Sequence, residues 1–140
     1  MLGILEDEVA LGRRIDRAVS LHSFGRVILH PYGGRWSRPK RLESYRGSAS
    51  SVQEHIEARY RVVQVSRWYP GVSFAHGMEI DHLHERYDAT ALLVECSRGG
   101  FRLADPSSWF HPFRWYNPPD LERVTSELAA GLEPFLRGEG

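Results

Sequence analysis

The sequence predicts an α/β fold, a layered mixed sheet with flanking helices. Two observations lead there. Apolar spacing alternates along the chain between helical stripes and short strand-like runs, in the order helix, two strands, helix, strand, helix, strand, helix. Such alternation builds a sheet with helices packed on its faces. The run Val27-Ile28-Leu29 has no polar residue in alternation, which marks a strand covered on both sides. Size agrees: 140 residues suit a single domain over residues 1–140. Folding at that length buries roughly 70% of the unfolded chain's surface.

Residues 5–18 are expected to form a helix, with Leu5, Val9 and Ile15 on one face and Glu6, Asp7 and Glu8 at its start. Strands follow at 19–23 and 26–30. Pro31, Gly33, Gly34, Pro39 and Gly47 punctuate a loop over 31–47. Ser51-Val-Gln-Glu54 has the pattern of a capping box, opening a helix with Val52, Ile56 and Tyr60 on one stripe. A strand at 61–66 precedes a turn at Pro70-Gly71. Residues 78–87 are expected as helix and 89–95 as strand. The aromatic stretch 99–117 reads as irregular. Pro118-Pro119-Asp120 opens a last helix with Leu121, Val124, Leu128, Leu132 and Phe135 on one side and Pro134 near its end.

Charge excludes some functions. Lys+Arg 18 balances Asp+Glu 18, so no global field recruits nucleic acid or a membrane surface. No apolar run approaches ~18 residues, so no membrane-spanning helix is expected. The first ten residues are acidic and show no basic-then-apolar leader. Localisation stays open, cytoplasmic if that start is genuine. Cys96 is the single cysteine, so no intrachain disulfide forms. One stretch is locally basic: Arg26, Arg35, Arg38, Lys40, Arg41 and Arg46 face only Glu43. It reads as a solvated loop surface or as an anion site.

Chemistry concentrates at two expected strand ends, His22 and Glu95. Sheets of this class place ligands at strand carboxyl ends. A histidine there is a metal ligand or a satisfied structural group. A glutamate ending an apolar strand is raised in pKa by desolvation, towards the range useful to a general base. Tyr69, beside Pro70-Gly71, is a packed aromatic or a mobile hydroxyl. His82-Leu-His-Glu85 puts His82 and Glu85 on one helix face, a solvated pair or a separate metal site; His76 and His84 carry the same two readings.

Ser20-Leu-His-Ser-Phe-Gly25 followed by Leu29-His-Pro-Tyr-Gly33 resembles a segment of the zinc carboxypeptidases of the carboxypeptidase A type, the M14 metallopeptidases. The likeness continues in order through Ser66-Arg-Trp-Tyr-Pro-Gly71, Gly77-Met-Glu-Ile-Asp81 and Ala91-Leu-Leu-Val-Glu95, over roughly residues 19–95. It implies the C-terminal half of such a catalytic domain. His22 would then be a zinc ligand, Tyr69 the tyrosine that closes over substrate, and Ile80 the floor of a pocket for an apolar C-terminal side chain. Glu95 would be the general base and acid beside a zinc-activated water. The substrate would be a peptide with a free C-terminus. Ile80 is equally a buried helix residue. Cys96-Ser-Arg98 departs from the family pattern after the glutamate. The family's His-x-x-Glu zinc pair, its carbonyl-polarising arginine and its carboxylate-gripping Asn-Arg pair have no counterpart in this sequence. One histidine does not hold a catalytic zinc, so the resemblance implies an incomplete site, with self-association or a missing N-terminal half as the way to complete it. A zinc deacylase of the aspartoacylase type and a non-catalytic binding module are the alternatives.

Overall fold

The computed structural model describes residues 2–68 and 75–139. Its sheet has four strands in the order β1-β4-β2-β3. In chain order the elements are α1 (Leu2–Ala10), β1 (Arg17–Phe24), β2 (Val27–His30), α2 (Leu42–Glu54), β3 (Arg61–Gln64) and α3 (Val65–Trp68), then α4 (Glu79–Tyr87), β4 (Thr90–Ser97), α5 (Pro106–Trp109), α6 (Pro112–Tyr116) and α7 (Leu121–Arg137). β1 runs parallel to β4 and β3 parallel to β2, while β2 and β4 are antiparallel. The sheet is therefore mixed, as expected.

Helices cover both faces. On one, Ile28, Leu92 and Val94 pack with Tyr45, Ala49 and Val52 of α2 and Leu128, Leu132 and Phe135 of α7. On the other, Val27, Leu29 and Leu93 pack with Ile80 and Leu83 of α4, flanked by Leu5 and Ile15. This accounts for the unalternating run in β2: neighbouring side chains point to opposite faces and each face has its own core. Burying one such side chain fully is worth roughly 1.5–3 kcal/mol, so the central strands carry much of the fold's stability.

Several boundaries differ from the sequence expectation, each for a local reason. α2 starts at Leu42, inside the expected loop, because Tyr45, Ala49 and Val52 form a buried stripe at helical spacing. Gly47 lies on its open side, where a Cβ would meet nothing within 4 Å. Its cost to the helix is then only the intrinsic one, about 1 kcal/mol. Ser51 falls in the last turns of α2, so the expected capping box does not form, and Ile56 and Tyr60 reach the core from the segment after the helix. α1 ends at Ala10, and Gly12 turns the chain at φ 80°. Val9 is left exposed, while Ile15 packs from the connecting segment. The stretch 99–117 contains the two short helices α5 and α6. α7 begins where expected, with the Asp120 carboxylate accepting from the Arg123 N–H at 3.0 Å. It runs through Pro134 because Phe135, fully buried, holds the last turn on the sheet, and Gly138 ends it at φ 84°. Leu121 is exposed rather than part of the buried stripe.

α7 and α2 meet closely at Gly131. A Cβ there would sit 2.8 Å from Ile56 Cγ2 and 2.8 Å from the Val52 carbonyl oxygen. A backbone oxygen cannot step aside as a side-chain end can. Gly131→Ala is therefore expected to destabilise the chain by about 1–3 kcal/mol despite alanine's better helix propensity. Urea unfolding checks this; a stabilised variant would show that α7 shifts freely on α2.

Candidate functional site

The site is built by an unusually short connection. Only Gly25 and Arg26 separate β1 from β2, yet β4 lies between those strands. The link must cross the carboxyl end of β4, spanning two strand spacings, about 10 Å. Gly25 makes the crossing possible. Its φ is 149°, its N–H donates to the Ser97 carbonyl at 2.6 Å, and a Cβ would lie 2.8 Å from Glu95 Cβ and 2.6 Å from the Trp68 ring. The crossing presses backbone against the Glu95 side chain, and the Phe24 N–H donates to Glu95 Oε2 at 3.1 Å.

β1 and β4 run in parallel register, which puts His22 opposite Glu95. His22 Nδ1 lies 3.6 Å from Glu95 Oε1, and His22 Nε2 lies 3.6 Å from Glu79 Oε1. These are ion-pair distances, longer than hydrogen bonds. The imidazole is half exposed, Glu79 less so, and the Glu95 side chain is 11% exposed. β4 continues two residues past Glu95 to Ser97, so the carboxylate stands just inside the strand end.

The two carboxylates are driven apart in pKa. Burial pushes Glu95 above the ordinary carboxylate value, and the His22 charge and the Phe24 N–H only partly offset it. Burial also pushes Glu79 up, but hydrogen bonds from Ser20 and its own backbone, together with the nearby His22, hold it below the ordinary value. Where neighbouring acids are split this way, the raised one is the proton carrier and the lowered one stays ionised. Burial and the nearby Glu95 charge also raise the Cys96 thiol, which keeps it neutral and a poor nucleophile.

His22 and Glu95 are thus neighbours across the β1–β4 pair. Glu79 was not foreseen: a glutamate in a helix's first turn reads as a dipole partner, and only the packing of α4 beside β1 brings it to the imidazole. Tyr69 lies outside the described residues. Ile80 is fully buried in the core beneath α4. Asp81 holds the turn after β2, accepting from the Gly33 and Gly34 N–H groups at 3.0 Å. Glu85 pairs with Arg35, and His82 packs edge-on against Tyr87. His84 is buried, with its Nδ1 3.0 Å from the Tyr45 hydroxyl.

A catalytic zinc of the expected type takes two imidazoles and a carboxylate and keeps one open position. Here a single imidazole has a carboxylate beside each ring nitrogen. Among the described residues, no group of three or more His, Cys, Asp or Glu is placed to hold a metal ion. The residues present do not make a zinc site by themselves. In comparisons with known proteins, neither a family model nor a curated protein matches the chain. Among the described residues no helix is long and apolar enough to cross a membrane.

Proposed function

We propose that this chain carries the acid–base part of a hydrolase centre of the zinc carboxypeptidase type, acting on the last peptide bond of substrates with a free C-terminus. One observation above all supports the reading. His22 and Glu95 meet at the carboxyl ends of neighbouring parallel strands, and the glutamate is the carboxylate held above its ordinary value, by burial. In this role Glu95 takes a proton from the attacking water and returns it to the leaving amine, and a value closer to neutrality suits both transfers. Glu79, ionised, holds the other side of the His22 ring. Tyr69 belongs to the reading as the substrate-capping hydroxyl. Ile80, buried in the core, is left to packing.

His22 supplies one metal donor in this reading, and two more must come from outside the described residues. A place for a completing segment exists. β1 is a sheet edge, and an apolar cavity of about 780 Å³ lies between it and α7, lined by Val19, Leu21, His22, Leu121, Leu128 and Leu136 among others. An open strand edge beside apolar surface invites an added strand.

The test has two arms. Alone, the chain is expected to hold well under one zinc per molecule by elemental analysis and to leave blocked dipeptides intact. Where further coding sequence precedes it in frame, the joined protein should release apolar C-terminal residues in a chelator-sensitive way. Glu95→Gln should then lower kcat by about a hundredfold or more, with zinc retained. Hydrolysis of N-acyl amino acids but not of dipeptides would move the assignment to a deacylase. Unchanged turnover in Glu95→Gln would sink both.

A further inference from the structure

A second concavity, of about 240 Å³, lies at the other end of β2. Arg38, Arg46 and Arg67 line it over an apolar wall of Leu42, Val62 and Val63. Among the described residues no carboxylate lines it. Three guanidinium groups around one hollow focus positive potential there. α2, 13 residues long, begins at this cavity with Leu42, and no side chain caps its first turn. Glu43, in that first turn, offsets the positive end of the helix, so the arginines carry the field.

The arginines are held from several directions. Arg67 donates to the Trp36 carbonyl at 3.2 Å and lies over the Trp36 ring. Arg46 is steadied by Glu43 at 2.8 Å, an exposed pair that salt and solvent weaken. The side-chain amide of Gln64, buried at the cavity's base, donates to the Arg35 and Ser37 carbonyls at 3.1 and 2.9 Å, which anchors the segment carrying Arg38. The field reaches the base of the cavity: His30 is held below its ordinary value by burial first, then by the Arg46 and Arg67 charges.

We propose that this cavity is an anion site for an organic phosphomonoester, with the phosphate among Arg38, Arg46 and Arg67 and the carbon portion along Leu42, Val62 and Val63. A dianion with three free oxygens matches three guanidinium forks, whereas a carboxylate offers two oxygens. The apolar wall gives the ester group contacts that inorganic phosphate cannot use. This proposal stands apart from the His22–Glu95 site and does not depend on its chemistry.

Calorimetric titration with phenyl phosphate, inorganic phosphate and benzoate at one fixed physiological ionic strength tests it. Phenyl phosphate should bind at least about tenfold more tightly than either of the others. Arg38→Ala, Arg46→Ala and Arg67→Ala should each weaken it by about tenfold or more, as expected for losing a charge-assisted contact. Arg14→Ala, at an exposed residue paired with Asp16, should change nothing. If Arg67→Ala disturbs folding through Trp36, Arg38→Gln and Arg46→Gln carry the test, with helicity checked by circular dichroism. Equal affinity for phenyl phosphate and inorganic phosphate, an equal loss in Arg14→Ala, or no binding heat with phenyl phosphate would each overturn the proposal.

Discussion

Acidification from pH 7 to pH 5 is expected to lower the chain's stability, through two buried histidines. His30 and His84 are 5% and 8% exposed. They bracket Tyr45: the His30 ring stacks on it, and its hydroxyl meets His84 Nδ1 and donates to the Ala89 carbonyl. Burial is the main cause that lowers both imidazoles below 6.5. For His30 the Arg46 and Arg67 charges add to it and the Pro31 carbonyl opposes. For His84 Arg41 adds, and Asp88, Glu85 and the Ala89 backbone oppose. Above 6.5 both groups are neutral in either state and stability is independent of them. Below it the unfolded chain binds protons that the folded chain refuses, so stability falls until pH passes the lowered folded values. The slope reaches at most about 1.4 kcal/mol per pH unit for each histidine.

Glu95 works in the opposite sense. Its folded value is raised above 4.5, so its contribution is present in full below 4.5 and lost as pH rises through the raised value. That partial recovery lies at the acid end, below the onset of the histidine effect. Urea unfolding at pH 7.5, 6.5 and 5.5 reads the balance. His30→Gln and His84→Gln should each flatten the decline by about half. A decline of the same steepness in both variants would place the effect in other groups.

The strands were the legible part of this chain because their burial is written in local composition. β2 and β4 are apolar through their centres and need no partner to be recognised. α2 was harder. Ser44, Gly47, Ser48, Ser50 and Ser51 give its exposed side the composition of a loop, and only the stripe Tyr45, Ala49 and Val52 reveals the helix. The short helices α3, α5 and α6 have four or five residues each, too few for a period to register. At the site, the strand pattern puts His22 and Glu95 near strand ends, and only the family resemblance gives them roles. Their distance was not legible, because it depends on a register between residues far apart in sequence, His22 against Glu95. Glu79 was invisible for the same reason: its role exists only once α4 has docked. The strand order hid the main geometric device, since a two-residue link ordinarily signals a hairpin. Here β4 enters between the two strands and turns that link into a bridge over Glu95.

That bridge makes Gly25→Ala the most damaging single methyl group to be expected near the site. Two costs add. The backbone at φ 149° lies where an L side chain is strained, at about 1–3 kcal/mol. The new Cβ would also press on the Trp68 ring and on Glu95 Cβ at under 3 Å, an overpacking cost of typically another 1–3 kcal/mol. Neither neighbour yields easily. Trp68 is packed against the core on the α4 face of the sheet, and Glu95 is fixed by the strand beneath it. Relief would come from lifting the crossing, which takes the Phe24 N–H off Glu95. That N–H is one of two groups that pull the Glu95 value back down, so a lifted crossing should raise it further. The variant is therefore expected to lose about 3 kcal/mol of stability and to shift the Glu95 carboxyl titration upward by NMR. A destabilised variant with an unmoved Glu95 titration would mean that the crossing yields on the Trp68 side, leaving the carboxylate's environment to the sheet alone.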